Sequence, residues 1–393
     1  MQKETVATYG GTPSMPQSGS ERLQATERID PSSRDRSTLE QELLRCQNWL
    51  QQPQPPYAAW NYQSYLFCLL GRYPEAVNSY QITLELNDQD ATVWYNYGVA
   101  LAQLGREAEA IASLEQALAR SPNNIEALTG KGRLLHRRQH YAAALACYQQ
   151  AIALAPQTAS LWYYRGKTLV RLGQISEALA SLVQAAFCQP DNSKIWNCLG
   201  YLQVRCAQYE AALNSFDQSL RLVRNNPRVY VARSYVLRRL GRLQQALSEL
   251  DQAQRLEPDF FYSEYQRGLI LGTLGHFKAA QNCLVQSLKR QAYYYPAWLA
   301  LGLVLQQKGD YQSAIDSYNK ALAIEPDIAF AFYQQAYCYA KLGNSGWAAE
   351  HLRRAIALAP SLYRTKAQQE PAFLAFQSAP TFLIRLPSSP SEI

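Results

Sequence analysis

The chain has 393 residues, a 48% hydrophobic content and a net charge of +7. That supplies enough apolar material for a continuous core, and so small a positive balance over this length does not by itself indicate nucleic acid. With no basic-then-apolar leader and no run of about 18 apolar residues, the chain is expected to be soluble and cytoplasmic, with no transmembrane segment.

Residues 1–36 are rich in Ser, Thr, Gln, Pro and charge and carry no periodic apolar run, so a disordered tail is expected there. From Ser37 to Gln51, Leu39, Leu43, Leu44, Trp49 and Leu50 predict a helix that packs over the residues beginning at Tyr57. Pro53, Pro55 and Pro56 stiffen the joint, so residues 37–56 read as a capping helix and hinge.

Ala91 to Asn124 then shows the piece that builds most of the chain. Trp94, Tyr97, Leu101 and Leu104 fall on one face of a first helix, and Gly105 ends it by taking φ > 0 without steric cost. Ala110, Leu114, Ala117 and Leu118 line a second helix, which Pro122 stops. The pattern returns every 34 residues without a gap, giving nine units over 57–362 that start at Tyr57, Ala91, Ile125, Ala159, Ser193, Pro227, Phe261, Tyr295 and Ala329. The twentieth position is Ala in all nine, the eighth is always small, and the fourth is aromatic in seven. Small facing residues let two helices approach to the near end of the usual range of roughly 8–10 Å, and large residues fill the space between units.

The pattern W-x2-[LYR]-G-x2-[LY] … A-x3-[LYF]-x2-A … P resembles the tetratricopeptide repeat (TPR). The resemblance covers about three quarters of the chain and implies an all-α fold, a right-handed α-solenoid of nine helix-turn-helix units with helical caps. Arg224 replaces the closing Pro in the fifth unit, Glu264 and Ala292 replace Trp and Pro in the seventh, and Ser345 replaces an aromatic residue in the ninth. Looser joints are expected there. After the last unit, Tyr363 to Gln369 reads as a closing helix within a capping segment, 363–386. Phe373, Phe376, Phe382 and Leu383 are expected to fold back over the open end of the array, with 387–393 as a tail.

Catalytic motifs are missing: there is no GxSxG, no HExxH, no Walker loop and no GxGxxG after a strand. No enzyme activity, cofactor or metal is expected. The eight Cys show no CxxC and no repeated pairing, which favours reduced thiols that pack as small apolar residues. Only His136 and His140 lie one helical turn apart, and nothing nearby in sequence completes a metal site.

The resemblance also implies that positions 2, 5, 9, 12 and 13 of each first helix line a concave groove. Position 13 reads Arg137, Arg171, Arg205 and Arg239 in four consecutive units. Arg133, His136, Lys167, Lys194, Arg228 and Arg238 join them at other groove positions, opposed only by Glu126. Tyr163, Tyr201 and Tyr235 stand among these cations; further on the groove turns aromatic, with Tyr262, Tyr265, Tyr333 and Tyr337. Arg165, Arg233 and Arg267 at position 7 are assigned to packing, as in bacterial members of the family.

Arg forks grip carboxylates in bidentate fashion, so the expected partners are other proteins or acidic peptide segments bearing Asp, Glu or a phosphate, held by a non-catalytic scaffold or assembly factor. The alternative is single-stranded RNA, with phosphates on the Arg and bases on Tyr163, Tyr201 and Tyr235; nucleic acid is the less favoured partner. The chaperone-tail clamp of the family does not fit, because Asn96 is flanked by Tyr65, Glu126 and Gly130 at the slots that matter. A regulatory arm of a transferase is disfavoured for want of a catalytic domain. The RG and LG motifs and many Tyr resemble stand-alone bacterial and cyanobacterial repeat proteins, some of which help assemble membrane complexes, so peripheral association with such a complex is compatible with the sequence.

Overall fold

The computed structural model describes residues 36–53 and 55–374, and the regular elements among them are all helices. The chain divides into two compact units, Met1–Ile195 and Trp196–Ile393. In the first, α1 (Arg36–Leu50) precedes the hairpins α2 (Tyr57–Leu69) with α3 (Tyr73–Leu86) and α4 (Ala91–Gln103) with α5 (Glu107–Arg120). Then come α6 (Ile125–Arg137) with α7 (Tyr141–Leu154) and α8 (Ala159–Arg171) with α9 (Ile175–Cys188). Next is α10 (Ser193–Arg205), most of which belongs to the second unit, with α11 (Tyr209–Leu222). The second unit continues with α12 (Pro227–Arg239) and α13 (Leu243–Leu256), then α14 (Phe261–Thr273) and α15 (Phe277–Arg290). It ends with α16 (Tyr295–Gln307) and α17 (Tyr311–Ile324), α18 (Ala329–Lys341) and α19 (Ser345–Leu358), α20 (Pro360–Gln369) and the short α21 (Pro371–Leu374).

First helices start every 34 residues from Tyr57 to Ala329, in the register read from the sequence. The turn between partners explains part of this. Gly71, Gly105, Gly173, Gly241, Gly275, Gly309 and Gly343 occupy one slot, all with φ between 73° and 88°. The third and fifth hairpins hold Gln139 and Ala207 there instead, at φ 64° and 56°, a conformation that strains a residue with a Cβ.

Packing within each hairpin follows one rule. The twentieth-position Ala are fully buried, Ala178 and Ala212 among them, and in six hairpins the Gly at position 8 faces the large residue at position 24. A Cβ on Gly132 would lie 2.7 Å from the Tyr148 ring, and one on Gly200 would lie 2.6 Å from Phe216. Tyr148 and Phe216 are themselves fully buried. The small residue is therefore a socket for the large one, and a side chain in it overpacks the joint.

Successive hairpins are also stitched together. Trp94, Trp162 and Trp298 donate their indole N–H to the carbonyls of Asp88, Pro156 and Ala292 at 2.7–2.8 Å, so the fourth-position Trp satisfies a carbonyl of the preceding loop. Position 7 supplies ionic staples: Lys131 to Glu115 at 2.9 Å, Arg233 to Asp217 at 2.9 Å and Arg267 to Asp251 at 2.6 Å each reach the hairpin before. Arg165 instead meets Glu177 of its own hairpin at 3.4 Å.

The irregular repeats keep the register. Pro227 opens α12 at its first turn, a position where the missing N–H costs nothing, after the loop that lacks the usual Pro. Glu264, at a Trp position, is buried and accepts a 2.7 Å hydrogen bond from Gln254. Asn344 caps α19 by accepting from the Trp347 N–H.

At the N-terminal end, α1 buries Leu39, Leu43 and Cys46, whereas Leu44 faces outward. Arg36 belongs to α1 and pairs with Glu40 at 3.1 Å; the rest of the expected N-terminal tail lies outside the described residues. At the other end α20 begins at Pro360, three residues before the expected Tyr363, because Pro fits the first turn. Tyr363 and Phe373 are buried; Phe376, Phe382, Leu383 and the tail lie outside the described residues.

Candidate functional site

The groove positions carry two patches, one in each unit. In the first unit, α6 and α8 bring His136, Lys167 and Arg171 together. His136 Nδ1 lies 2.9 Å from the Thr168 hydroxyl, and that hydroxyl donates its own proton to the Tyr164 carbonyl at 2.8 Å. Nδ1 is thus engaged with Thr168, which leaves Nε2 as the open nitrogen. Burial lowers the His136 pKa, and the charges of Lys167 and Arg171 lower it further. The Tyr141 ring meets His136 edge-on at 5.3 Å, and the Tyr141 hydroxyl accepts from Arg171 Nε at 3.1 Å.

Around this centre, Arg133 lies 5.3 Å over the Tyr164 ring and Lys167 lies 5.4 Å from the Tyr163 ring. Tyr163 and Tyr164 pack edge to face at 5.4 Å, and Tyr164 stacks on buried Tyr148 at 6.0 Å. Tyr163 is half-buried, while Arg133, Lys167, Arg171 and Lys194 are exposed. Tyr95 below them has its phenol pushed up to about 12 by burial, with Glu126 adding to the shift and Arg133 opposing it.

Three of the four position-13 Arg make contacts within the chain. Arg137 is neutralised by Glu107 at 2.9 Å, Arg171 leans on Tyr141, and Arg239 lies 5.4 Å over Tyr209. Each contact reaches the first residue of the preceding hairpin's second helix, so these side chains also brace neighbouring repeats. Arg137 is thus the rung whose charge is already answered. Among the described residues no carboxylate pairs with Arg133, Lys167 or Arg171.

In the second unit, Arg205, Arg228 and Arg239 are exposed and likewise have no carboxylate partner among the described residues. Tyr201 is 45% exposed, packs edge-on against Phe216 at 5.2 Å, and donates its hydroxyl to the Arg228 carbonyl at 3.4 Å. Arg238 lies 5.4 Å over the half-buried Tyr235, and its Nε is buried with no hydrogen-bond partner. Tyr262 and Tyr265 face each other at 5.5 Å, and Tyr294 meets both, at 6.2 and 5.2 Å. Burial and neighbouring Tyr262 push the Tyr265 phenol up to about 12, with Arg238 opposing.

Reading first helices alone misses Tyr294, which sits in the loop before α16. The run Tyr293-Tyr294-Tyr295 is the signal that marks it. Two expected groove residues also change role or setting. Tyr333 is buried beneath Tyr363, stacked at 4.9 Å, and Phe373, edge-on at 5.7 Å, so the chain's own closing segment covers it. Tyr337 is half-buried, 6.5 Å from Tyr311 and 5.4 Å from the Lys341 ammonium.

His140 is exposed, in the turn before α7, and no group of three or more metal-ligating side chains occurs among the described residues. None of the described helices is long and apolar enough to cross a membrane.

Tetratricopeptide-repeat profiles match residues 70–125 and 199–259, 131–195, 295–328 and 331–362, together more than half of the chain. No curated protein matches it. Among solved structures, the APC/C hetero-tetramer Cut9-Hcn1 is similar over 86% of this chain and 93% of that one, at 13% identity and a TM-score of 0.50. YrrB, described as a TPR protein with an unusual peptide-binding site, aligns over 48% of this chain and 96% of its own, at 20% identity and a TM-score of 0.43. MamA from Desulfovibrio magneticus RS-1 aligns over 43% and 95%, at 24% identity and a TM-score of 0.41. At these identities the likeness is one of fold alone.

Proposed function

This chain belongs to the tetratricopeptide-repeat family, and from that premise we propose that it is a non-catalytic scaffold or assembly factor that holds an acidic, extended protein segment on its groove positions. One contrast carries the reading. The position-7 cations Lys131, Arg165, Arg233 and Arg267 all meet carboxylates of the chain itself, between 2.6 and 3.4 Å. The groove cations Arg133, Lys167, Arg171 and Arg228 meet none, and rest against aromatic rings or stand in solvent. The position-7 cations are answered within the chain, as Arg137 is by Glu107; the other four keep their charge for a ligand. A partner carboxylate would supply the missing charge through hydrogen bonds worth about 1.5–3 kcal/mol each, with half-buried Tyr rings beside it for apolar side chains. A cytoplasmic setting, peripheral to a larger assembly, accords with this role.

A pull-down comparing the intact chain with the double variant Arg133→Glu/Lys167→Glu tests the proposal. Partner capture should be lost in that variant and kept in Lys131→Glu, which changes charge on the same helix away from the groove positions. Capture that survives the double reversal would overturn it.

A further inference from the structure

We propose that Arg133, His136, Lys167 and Arg171 form a receptor for a phosphorylated side chain on the bound segment, an inference that rests on the peptide-binding function above. The cluster holds three cations that no carboxylate of the chain answers, on helices tied together by the 2.9 Å contact between His136 and Thr168. A single carboxylate carries one charge. A phosphoserine or phosphothreonine carries about −1.5 to −2 near neutral pH, with three acceptor oxygens, and matches this donor set better.

The donors are already oriented. Arg171 Nε is committed to the Tyr141 hydroxyl at 3.1 Å, which fixes the guanidinium and leaves both terminal nitrogens for ligand oxygens. His136 Nδ1 is committed to Thr168, so Nε2 is the nitrogen left to meet an anion. Lys167 adds three donors, and Arg133, one turn before His136 on α6, adds a planar fork.

The imidazole couples the site to protons. It faces Tyr141 from α7, and Lys167, Thr168 and Arg171 from α8. Its own helix contributes Arg133 and Arg137, the latter tied to Glu107 of α5. Within the chain alone, burial and the two α8 cations disfavour imidazolium. A phosphate beside it reverses that balance, so binding takes up a proton and the pH midpoint of the His136 ring moves upward. The phosphate takes a proton of its own near pH 6, which is why the ring signal, and not affinity alone, is the decisive readout.

The test uses the full chain and three peptides of one Gly-Ala-Glu sequence, with phosphoserine, serine or glutamate at the central position. Affinity is measured by fluorescence anisotropy, and the His136 ring is followed by NMR as a function of pH, with its signal assigned through His136→Gln. The phosphopeptide should bind at least tenfold more tightly than the serine form and raise the His136 midpoint. Lys167→Gln and Arg171→Gln, checked for unchanged melting, should lose that preference, and Lys131→Gln should keep it. Equal binding of the glutamate and phosphoserine forms with an unmoved His136 midpoint would overturn the receptor and leave the scaffold standing. If none of the three binds, the proposed function falls with it. An oligouridylate that binds as tightly as the phosphopeptide would assign the cluster to nucleic acid and overturn both.

Discussion

Tyr333 and Tyr363 stack ring on ring, 4.9 Å between centroids and 28° between planes. Phe373 meets the same Tyr333 edge-on at 5.7 Å. Position 5 is one of the expected groove positions, yet in the ninth repeat it is roofed by the segment C-terminal to the array. A terminal repeat has an apolar face with no next neighbour, and α20 and α21 cover it.

A chain ending at Ala359 should therefore uncover Phe332, Tyr333 and Ile356. The two lost rings, Tyr363 and Phe373, are each worth roughly 1.5–3 kcal/mol of burial. The shortened chain is expected to melt earlier and to self-associate through the new apolar patch. Calorimetry and sedimentation velocity check both. A monomer that melts like the full chain would remove the capping role from these helices.

The turn slot supplies a second expectation. Ala207 holds φ 56° where most hairpins place Gly. That conformation costs an L residue about 1–2 kcal/mol, against an entropic cost of about 0.4–1 kcal/mol for putting Gly in the unfolded chain. Ala207→Gly should stabilise by a few tenths to about 1 kcal/mol, seen as a higher urea midpoint at constant slope. A lower midpoint would mean that the Ala207 methyl packs better than its exposure suggests.

Close packing decides how much of the molecule is legible in the sequence. The 34-residue period, the buried Ala178 and the socket at Gly200 are legible because so few residue types fit there. The groove cations are legible as a row. Their partners are not, because Glu107, Tyr141 and Tyr209 belong to the neighbouring hairpin, and meeting them depends on how one hairpin rotates on the next. Tyr294 escapes because it lies in a loop that the repeat pattern leaves free. Tyr333 reads as a groove residue because the segment that covers it has no template in the repeat.

His351 makes the pH dependence of stability testable. Its ring lies between Tyr339, stacked at 5.1 Å, and Trp347 and Phe332, both at 5.9 Å, and its Nδ1 is buried without a partner. Burial lowers its pKa, with Glu350 opposing and Arg354 adding to the shift. The unfolded chain then binds more protons than the native one between the folded value and the ordinary value of about 6.5. The contribution is complete above that value and is lost as pH falls through the window toward the folded pKa. Urea midpoints should drop between pH 7.5 and pH 5, and His351→Phe should flatten the drop. A slope unchanged in the variant would place the responsible proton elsewhere, with His136 the next candidate.

Arg238 offers a test of the proposed binding role against stability. Its guanidinium lies 5.4 Å over the Tyr235 ring, and its Nε is buried without a hydrogen-bond partner. A buried polar group left unsatisfied costs about 1–3 kcal/mol, and the same guanidinium acts on the nearby Tyr265 phenol. Arg238→Leu keeps much of the side-chain volume and deletes the orphaned donor. The free variant should be as stable as the native chain or more so, which is the usual signature of a residue held for function at the expense of stability. Its affinity for a Glu-rich peptide should fall about tenfold, a loss of one charge-assisted hydrogen bond of about 1.5 kcal/mol. The measurement is best made in a Lys167→Glu background, so that the first unit's patch does not mask the second. Melting curves and anisotropy titrations on the same sample decide the matter. If stability drops while affinity holds, Arg238 is a brace between repeats, and the second unit's cations serve the fold.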